Sequence, residues 1–381
     1  MPDVKRVLII TNVPQDYRIV LFNDLHEKLA KENIELKVVF GSSGYKRRKG
    51  KLDFGNIKFN HVFLDSKKFI FGSVENTMFS YHGLIRLLRS YKPDMTIVIG
   101  YSPATIKLWL LSFFSKVNYF IWSGSLKFKG RKDSAFRILS RKILVAKAKG
   151  FIAYGSKAKE YLISLGAPAE KIHIAINTVD IDFFNKIAFD RIDRDSGSVK
   201  KLLFIGYLSP RKKVDDLIHT IYKLNKIYPD FQLNLVGDGS DREMLITLVN
   251  ELKLNSKISF EGFKQKNDLP KYLREADCFL FQTGFDIWGL VLNEAMAAGV
   301  PSAVSPNAGA VYDLIQNDVN GLIIDFSNHE KAAHQLSELL KNENKLSEMG
   351  RNAHQYINNN ATVTNSAQGF MDAIISFRKD A

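Results

Sequence analysis

The stretch Lys200–Gly239, KKLLFIGYLSPRKKVDDLIHTIYKLNKIYPDFQLNLVGDG, decides the fold. Lys200–Gly206 is a short apolar run closed by glycine, the length of a buried strand. Val214–Ile227 carries apolar side chains at helical spacing, and Phe231–Val236 is a second apolar run. Strand, amphipathic helix, strand is the repeating unit of a parallel sheet. Downstream, Lys257–Glu261, Cys278–Gln282 and Ser302–Val304 continue the series, with a helical pattern over Asp241–Leu252. Upstream, Lys5–Thr11, Glu35–Phe40, Met95–Gly100, Asn118–Trp122, Gly150–Tyr154 and Lys171–Ile176 read as strands, and Arg18–Glu32 as a helix. Between the two series Asp180–Val199 is polar, with DRIDRDSGS at its centre and no apolar period. The expected architecture is α/β, with two Rossmann-like doubly wound parallel-sheet domains facing a central cleft. They are residues 1–182 and 200–360, joined by a linker at 183–199. A C-terminal helix at 361–381 is expected to pack back on the first domain.

Composition narrows the function classes. The chain has 381 residues, is 45% hydrophobic and 25% charged, and so has material for two cores rather than a disordered tail. A single cysteine, Cys278, excludes a disulfide scaffold and a cysteine zinc cluster. Val7–Ile10 is too short for a signal peptide, and no apolar run approaches a spanning helix. The net charge of +14 is uneven. Residues 1–180 hold 31 basic and 14 acidic side chains (+17), and residues 181–381 hold 23 and 26 (−3). One half therefore faces something anionic: nucleic acid, a membrane surface or a phosphorylated ligand.

The chemistry belongs in the loops that follow strands. After Gly206 come three consecutive cations, Arg211-Lys212-Lys213, where the chain turns into a helix. Positive charge at a helix N-terminus is unfavourable unless an anion is bound. A phosphate clamp and a solvated loop are both open. Gly237-Asp238-Gly239 is either a plain tight turn or a close backbone approach to a ligand. In Gly284–Gly299, GFDIWGLVLNEAMAAG, a strand gives way to a helix from Gly289 to Gly299. The free N–H groups of Gly289, Leu290 and Val291 form an anion site. Asp286 precedes this helix, and Glu294 stands inside it among apolar neighbours, where a carboxylate is costly without a partner. Either a salt bridge or the hydroxyls of a sugar or ribose fills that role.

The D-x7-E block with GLV and NEAMAAG closely resembles the E-x7-E signature of the retaining GT-B glycosyltransferases of family 4. GYLSPRKKVDDL at Gly206–Leu217, VGDG at Val236–Gly239, FEGF at 260–263, NGL at 320–322 and NTVD at 177–180 fall where that family has similar elements. The resemblance implies a hexosyltransferase using a nucleoside-diphosphate sugar, UDP-linked by preference and GDP-linked otherwise. It implies that Lys212 binds the donor pyrophosphate, with Arg211 replacing a family arginine that here is Tyr207. It implies that Glu294 holds the ribose and that Asp286, one methylene shorter than the usual glutamate, faces the transferred sugar. Gly262 and Phe263 would meet the base, and the N–H groups of Leu290 and Val291 the distal phosphate. Retention through a front-face step is likewise implied by the family. No Asp-x-Asp stands in a loop suited to a metal, so neither metal nor cofactor is expected.

In the first half, Asn12-Val13-Pro14-Gln15-Asp16-Tyr17-Arg18 resembles the N-x-P-x-x-Y-R variant of surface-polysaccharide enzymes. It is either a helix start marked by Pro14 and Asp16 or an acceptor-side cleft floor carrying Asn12, Asp16, Tyr17 and Arg18. The histidine that much of the family places after the fourth strand is missing, and Trp122 and Ser123 stand closest to its position. The basic excess concentrates at Lys46, Arg47, Arg48 and Lys49, and at Lys129, Arg131, Lys132, Arg137, Arg141 and Lys142. Phe136, Ile138, Leu139, Ile143, Leu144 and Val145 recur at helical spacing there, as in a membrane-surface helix. The other reading packs that stripe, and Phe69-Ile70-Phe71 and Phe113-Phe114 with it, into the core. The expected partners are a nucleotide sugar, a lipid-linked or glycan acceptor and an anionic membrane surface, with the protein cytoplasmic and peripheral on the inner face. No nucleic-acid motif is present. A nucleotide-sugar epimerase and a noncatalytic sugar-nucleotide binder are the rival readings.

Overall fold

A computed structural model describes residues 4–42, 55–70, 77–127, 133–191 and 199–380. The chain divides into two compact units: residues 1–177 with 363–381, and residues 178–362.

In the first unit the strands are β1 (Arg6–Thr11), β2 (Glu35–Phe40), β3 (Asn60–Phe63), β4 (Ser66–Ile70), β5 (Thr77–Tyr81), β6 (Met95–Ile99), β7 (Tyr119–Ser123), β8 (Gly150–Ala153) and β9 (Ile172–Ile174). Seven of them form a parallel sheet in the order β3-β2-β1-β6-β7-β8-β9, while β4 and β5 pair as a separate antiparallel ribbon. Helices α1 (Asp16–Lys31), α2 (Leu84–Tyr91), α3 (Pro103–Leu111), α4 (Ala135–Lys147) and α5 (Ser156–Ser164) follow β1, β5, β6, β7 and β8. A parallel sheet covered on both faces needs strands apolar on both faces, and Val7–Ile10 are all fully buried. One core joins Leu21, Phe22, Leu25 and Leu29 of α1 to the sheet, and the other holds Leu8, Ile10, Val98 and Ile121 against α2, α3 and α5.

The second unit opens with α6 (Asp182–Arg191). It continues through β10 (Lys200–Ile205), α7 (Val214–Ile227), β11 (Phe231–Val236), α8 (Arg242–Glu251), β12 (Ile258–Gly262), α9 (Leu269–Glu275), β13 (Cys278–Phe281) and α10 (Leu290–Ala297). After these come β14 (Ser302–Val304), α11 (Val311–Leu314), β15 (Leu322–Ile323), α12 (His329–Lys341) and α13 (Glu343–Asn360). Its sheet is parallel in the order β12-β11-β10-β13-β14-β15. α7 buries Val214, Leu217, Ile218, Ile221 and Leu224, the i, i+3, i+4 stripe read from the sequence, against this sheet and α12. The last helix, α14 (Val363–Asp380), belongs to the first unit, where Phe370 lies edge-on to Trp122 and Phe377 to Phe120.

Two expectations are corrected. The stretch 183–199 is not a linker: through Arg191 it is α6, and the first unit gives way to the second at Asn177/Thr178 rather than at 182. Phe184 and Ile187 are fully buried against the second unit, a short apolar period that the surrounding charges conceal. Residues 192–198 lie outside the described residues. The strands β3, β4, β5 and β15, absent from the expected series, are short or border the sheet, where apolar alternation is weak.

Candidate active site

In a doubly wound sheet, the strand order reverses at one point, and the loops leaving the strands there part to form a crevice. In the second unit that point lies between β10 and β13. The two loops concerned are those carrying Arg211-Lys212 and Asp286. The backbone fastens them together: the Gly284 N–H donates to Arg211 O at 3.0 Å, the Gln282 amide to Lys213 O at 3.1 Å, and the Arg211 guanidinium to Phe285 O at 2.5 Å. Lys213 takes a left-handed conformation (φ +50°) that swings the chain from this turn into α7. Gly284 lies so near that an added Cβ would come within 3.1 Å of Arg211 O and 2.8 Å of the Lys213 side chain.

The consequence is a buried charge cluster. Lys212 is 5% exposed. Its Nζ donates to Asp286 Oδ2 at 2.7 Å and sits 4.8 Å from the centre of the Phe281 ring. Arg211 approaches the same oxygen at 3.4 Å. Burial opposes the charge on Asp286, but Lys212 and then Arg211 outweigh it, so the carboxyl lies below its ordinary range. Two cations thus converge on one short carboxylate.

Beside them α10 begins. Gly289 has φ +100°, and an added Cβ would fall 2.2 Å from the Phe281 ring, so only glycine fits. The N–H groups of Leu290 and Val291 open this helix, and its N-cap residue, Gly289, has no side chain to cap them. Trp288 is locked behind by its indole N–H bond to Asn293 Oδ1 (3.0 Å), and Asn293 in turn donates to Thr178 Oγ1 at 3.4 Å. Further along the helix, burial pushes the Glu294 carboxyl up to about 7, with Lys266 pulling it the other way. Lys266 also lies 3.8 Å from Asp180 and over the Phe183 ring at 4.5 Å. It was missed in the sequence because nothing marks one lysine among the polar residues 264–268, whereas its electrostatic reach to the partly buried Glu294 is a tertiary fact.

Gly237 and Gly239 serve close backbone approach. An added Cβ on Gly237 would sit 1.8 Å from Gly206 O, and one on Gly239 2.1 Å from Leu208 O. The Gly237 N–H bonds Gly262 O at 3.0 Å, which ties the ends of β11 and β12 together. Gly262 (φ +69°) faces open space, and Phe263 and Tyr207 are exposed beside it in sequence and at the end of β10 respectively. Among the described residues no group of three or more His, Cys, Asp or Glu side chains is placed to hold a metal ion.

In the first unit the NxPxxYR stretch is both a helix start and a cluster. Asp16 begins α1 and is exposed. Asn12 is taken by Tyr81, whose hydroxyl donates to Asn12 Oδ1 at 3.3 Å, and Ser123 Oγ accepts from Ser125 N at 3.1 Å. Arg18 is buried. It donates to Thr11 Oγ1 and to Tyr154 Oη (3.2 Å), with its guanidinium over Trp122 at 5.0 Å and over Tyr17 at 5.6 Å.

The basic face divides. Lys46, Arg47, Arg48, Lys49, Lys129, Arg131 and Lys132 lie outside the described residues. Arg141 is not a surface cation: it is 19% exposed, 3.6 Å from Asp133, bonded to Tyr161 and stacked over Tyr101. Its spacing on the helix points it inward. Arg137 pairs with Asp133 at 3.1 Å while remaining half exposed, and Lys142 is exposed. The apolar stripe of α4 is buried only at Leu144 and Val145; Phe136, Ile138, Leu139 and Ile143 are exposed. Ile106, Leu110, Phe113 and Phe114 are exposed on and just after the neighbouring α3, and so is Phe69 on β4. Core packing, the other reading, holds for Leu144 and Val145 and is corrected for the exposed side chains, while Phe71 lies outside the described residues.

Residues 188–356 match the family described as Glycosyl transferases group 1, so the second unit carries a domain of that family. An uncharacterized glycosyltransferase of Methanocaldococcus jannaschii is 28% identical over 218 residues, 55% of this chain and 53% of that protein. N-acetyl-alpha-D-glucosaminyl L-malate synthase of Bacillus anthracis is 29% identical over 193 residues, 50% of each chain. The match thus spans about half the length of these relatives. Among solved structures, Anabaena HepE in complex with UDP aligns over 98% of this chain and 100% of its own, with a TM-score of 0.75 at 16% identity. The fold is GT-B.

Proposed function

We propose that the protein transfers a sugar, with retention of configuration, from a nucleoside-diphosphate sugar to a lipid-linked acceptor at an anionic membrane surface. The observation that carries this reading is the Lys212–Asp286–Arg211 cluster beside the uncapped N-terminus of α10. When the glycosidic bond breaks, negative charge grows on the departing pyrophosphate. Fixed cations and helix N–H groups stabilise that charge as it develops. Asp286 pairs with both cations. An arriving pyrophosphate takes over that role and releases Asp286 toward the hydroxyls of the transferred sugar. Glu294 accepts hydrogen bonds from the ribose hydroxyls. UDP is the favoured carrier, because a solved neighbour of the same fold, Anabaena HepE, is in complex with UDP.

The test is incubation of UDP- and GDP-sugars with lipid-linked acceptors, following release of nucleoside diphosphate and the anomer of the product. Release that depends on acceptor supports transfer. Sugar interconversion without release would point instead to an epimerase, and neither outcome to a binding protein. Because charge neutralisation is supplied by Lys212 and Arg211, transfer is expected to proceed fully in excess EDTA. Activity lost to EDTA and restored by Mg²⁺ would overturn that.

The membrane part rests on the apolar surface of α3 and α4, where Phe113, Phe114, Phe136, Leu139 and Ile143 stand exposed beside Lys142 and Lys147. Such a face inserts shallowly while its cations meet anionic head groups. No helix among the described residues is long and apolar enough to cross a membrane. Replacing Phe114 and Phe136 by serine is expected to lower co-sedimentation with phosphatidylglycerol vesicles about tenfold, with donor binding unchanged. Equal sedimentation with and without anionic lipid would remove the membrane reading.

A further inference from the structure

The first unit contains a buried cation, Arg18. Arg18 is 8% exposed, and no carboxylate among the described residues pairs with it. Among the described residues its Nε has no hydrogen-bond partner. Trp122, 2% exposed, has an equally unpartnered indole N–H, and the Arg18 guanidinium lies 5.0 Å from that ring. Arg18 bonds the neutral hydroxyls of Thr11 and Tyr154 and lies over two rings, which solvate its charge without neutralising it, and each buried donor left unbonded is unfavourable. Packing does not explain the choice of residue, since a leucine or methionine would fill the same space without the cost.

The position sharpens this. Arg18 stands in the first turn of α1, where a positive charge opposes the helix dipole. Gln15 opens that helix without capping any of its N–H groups by its side chain. Thr11, Trp122 and Tyr154 bring the ends of β1, β7 and β8 to the same spot, on the carboxyl edge of the sheet and beside its β1/β6 reversal. That edge is where an open α/β sheet binds ligands. Each feature that is unfavourable alone becomes favourable when an oxyanion is present.

We infer that Arg18, Trp122 and the first turn of α1 form a binding site for a phosphoryl group carried by the acceptor. A planar carboxylate offers two oxygens in one plane. A phosphoryl group offers oxygens in three directions, which suits donors from a guanidinium, an indole and a helix N-terminus. The site thereby specifies a phosphorylated acceptor, such as a sugar phosphate or a glycan on a lipid phosphate, and positions it. This inference rests on the transferase reading, yet its site lies wholly in the first unit and is tested separately.

Inorganic phosphate, titrated against the full chain, is expected to give a saturable change in tryptophan emission. That change should vanish in Trp122→Phe and in Arg18→Gln, because Trp122 is the fluorophore at the site. With active donor and acceptor, Arg18→Gln and Trp122→Phe are each expected to raise the acceptor KM at least about tenfold, leaving the donor KM unchanged. Trp122→Phe removes only an N–H and a small part of the ring system, so it serves even where Arg18→Gln folds poorly. A dephosphorylated acceptor should show the weaker KM in the wild type and no further loss in Arg18→Gln. An unchanged acceptor KM in both variants overturns the inference, as does a phosphate response that survives Arg18→Gln. Loss of phosphatidylglycerol vesicle binding in Arg18→Gln with the acceptor KM intact also overturns it, by assigning the site to membrane head groups. A phosphate response without transfer from any donor would leave the site standing and defeat the transferase reading.

Discussion

Lys212→Ala is expected to lower sugar transfer at least about a hundredfold, which is the scale of removing one donor aimed at developing charge. The loss should appear in kcat more than in donor KM, because the charge on the pyrophosphate is greatest as the sugar departs. The wild-type structure also says what the variant leaves behind. Asp286, held at 2.7 Å by Lys212, would keep only the longer contact to Arg211 at 3.4 Å. Its carboxyl, held low chiefly against burial by Lys212, should rise toward the ordinary range or above it. The variant is therefore expected to lose residual activity on the acid side where the wild type still works. Steady-state transfer between pH 5 and 8 checks both statements, and a near-wild-type rate would refute the role given to Lys212.

The second large effect belongs to Glu294. Burial raises its carboxyl to about 7 in the folded chain, against 4.5 for an ordinary glutamate. A group raised by folding supports stability below its unfolded pKa, and that support is lost as pH rises through the folded value. Near pH 8 the ionised, partly buried carboxylate should therefore destabilise the protein without donor, by about 1.4 kcal/mol for each unit separating the two pKa values. Glu294→Gln removes that cost, so its melting temperature should exceed the wild type's at pH 8 and converge with it as pH falls toward 4.5. Donor binding should move the opposite way. Two hydroxyl bonds to a carboxylate are worth about 1.5–3 kcal/mol each, and the variant should bind UDP at least about a hundredfold more weakly. Wild-type UDP affinity should fall about tenfold for each pH unit below 7, because only the ionised form accepts both hydroxyls, while the variant's pH profile stays flat. Calorimetry of UDP binding across that range decides it; equal affinities would sink the ribose assignment.

The alternation of strand and helix was legible because a parallel sheet covered on both faces demands apolar strands, and those runs stand out at β1, β10 and β11. So were the loops that matter, since Lys212, Asp286 and Glu294 lie in loops or helices directly after strands. What could not be read is what depends on orientation or on distant partners. Helical spacing shows that α4 has an apolar stripe but not that Phe136 and Leu139 face outward. The charges around Phe184 and Ile187 masked a helix whose partners lie in α9 and α10. The ion pair of Asp286 with Lys212 joins residues 74 positions apart. Arg18 and Trp122 both stand out in the sequence, but only the fold shows that the Arg18 Nε and the Trp122 indole N–H lack partners among the described residues.

The return of α14 to the first unit governs how the protein is made. Residues 178–362 form one uninterrupted stretch, whereas the first unit is closed only by residues 363–381. On the ribosome, the second unit can thus complete its core first, because domains fold as units as they emerge. The unit holding Arg18 waits for Phe370 to reach Trp122 and for Phe377 to reach Phe120. A nonsense change anywhere in the last helix would spare the Lys212 cluster and leave the earlier-synthesised half unfinished. The half translated first is the half that matures last.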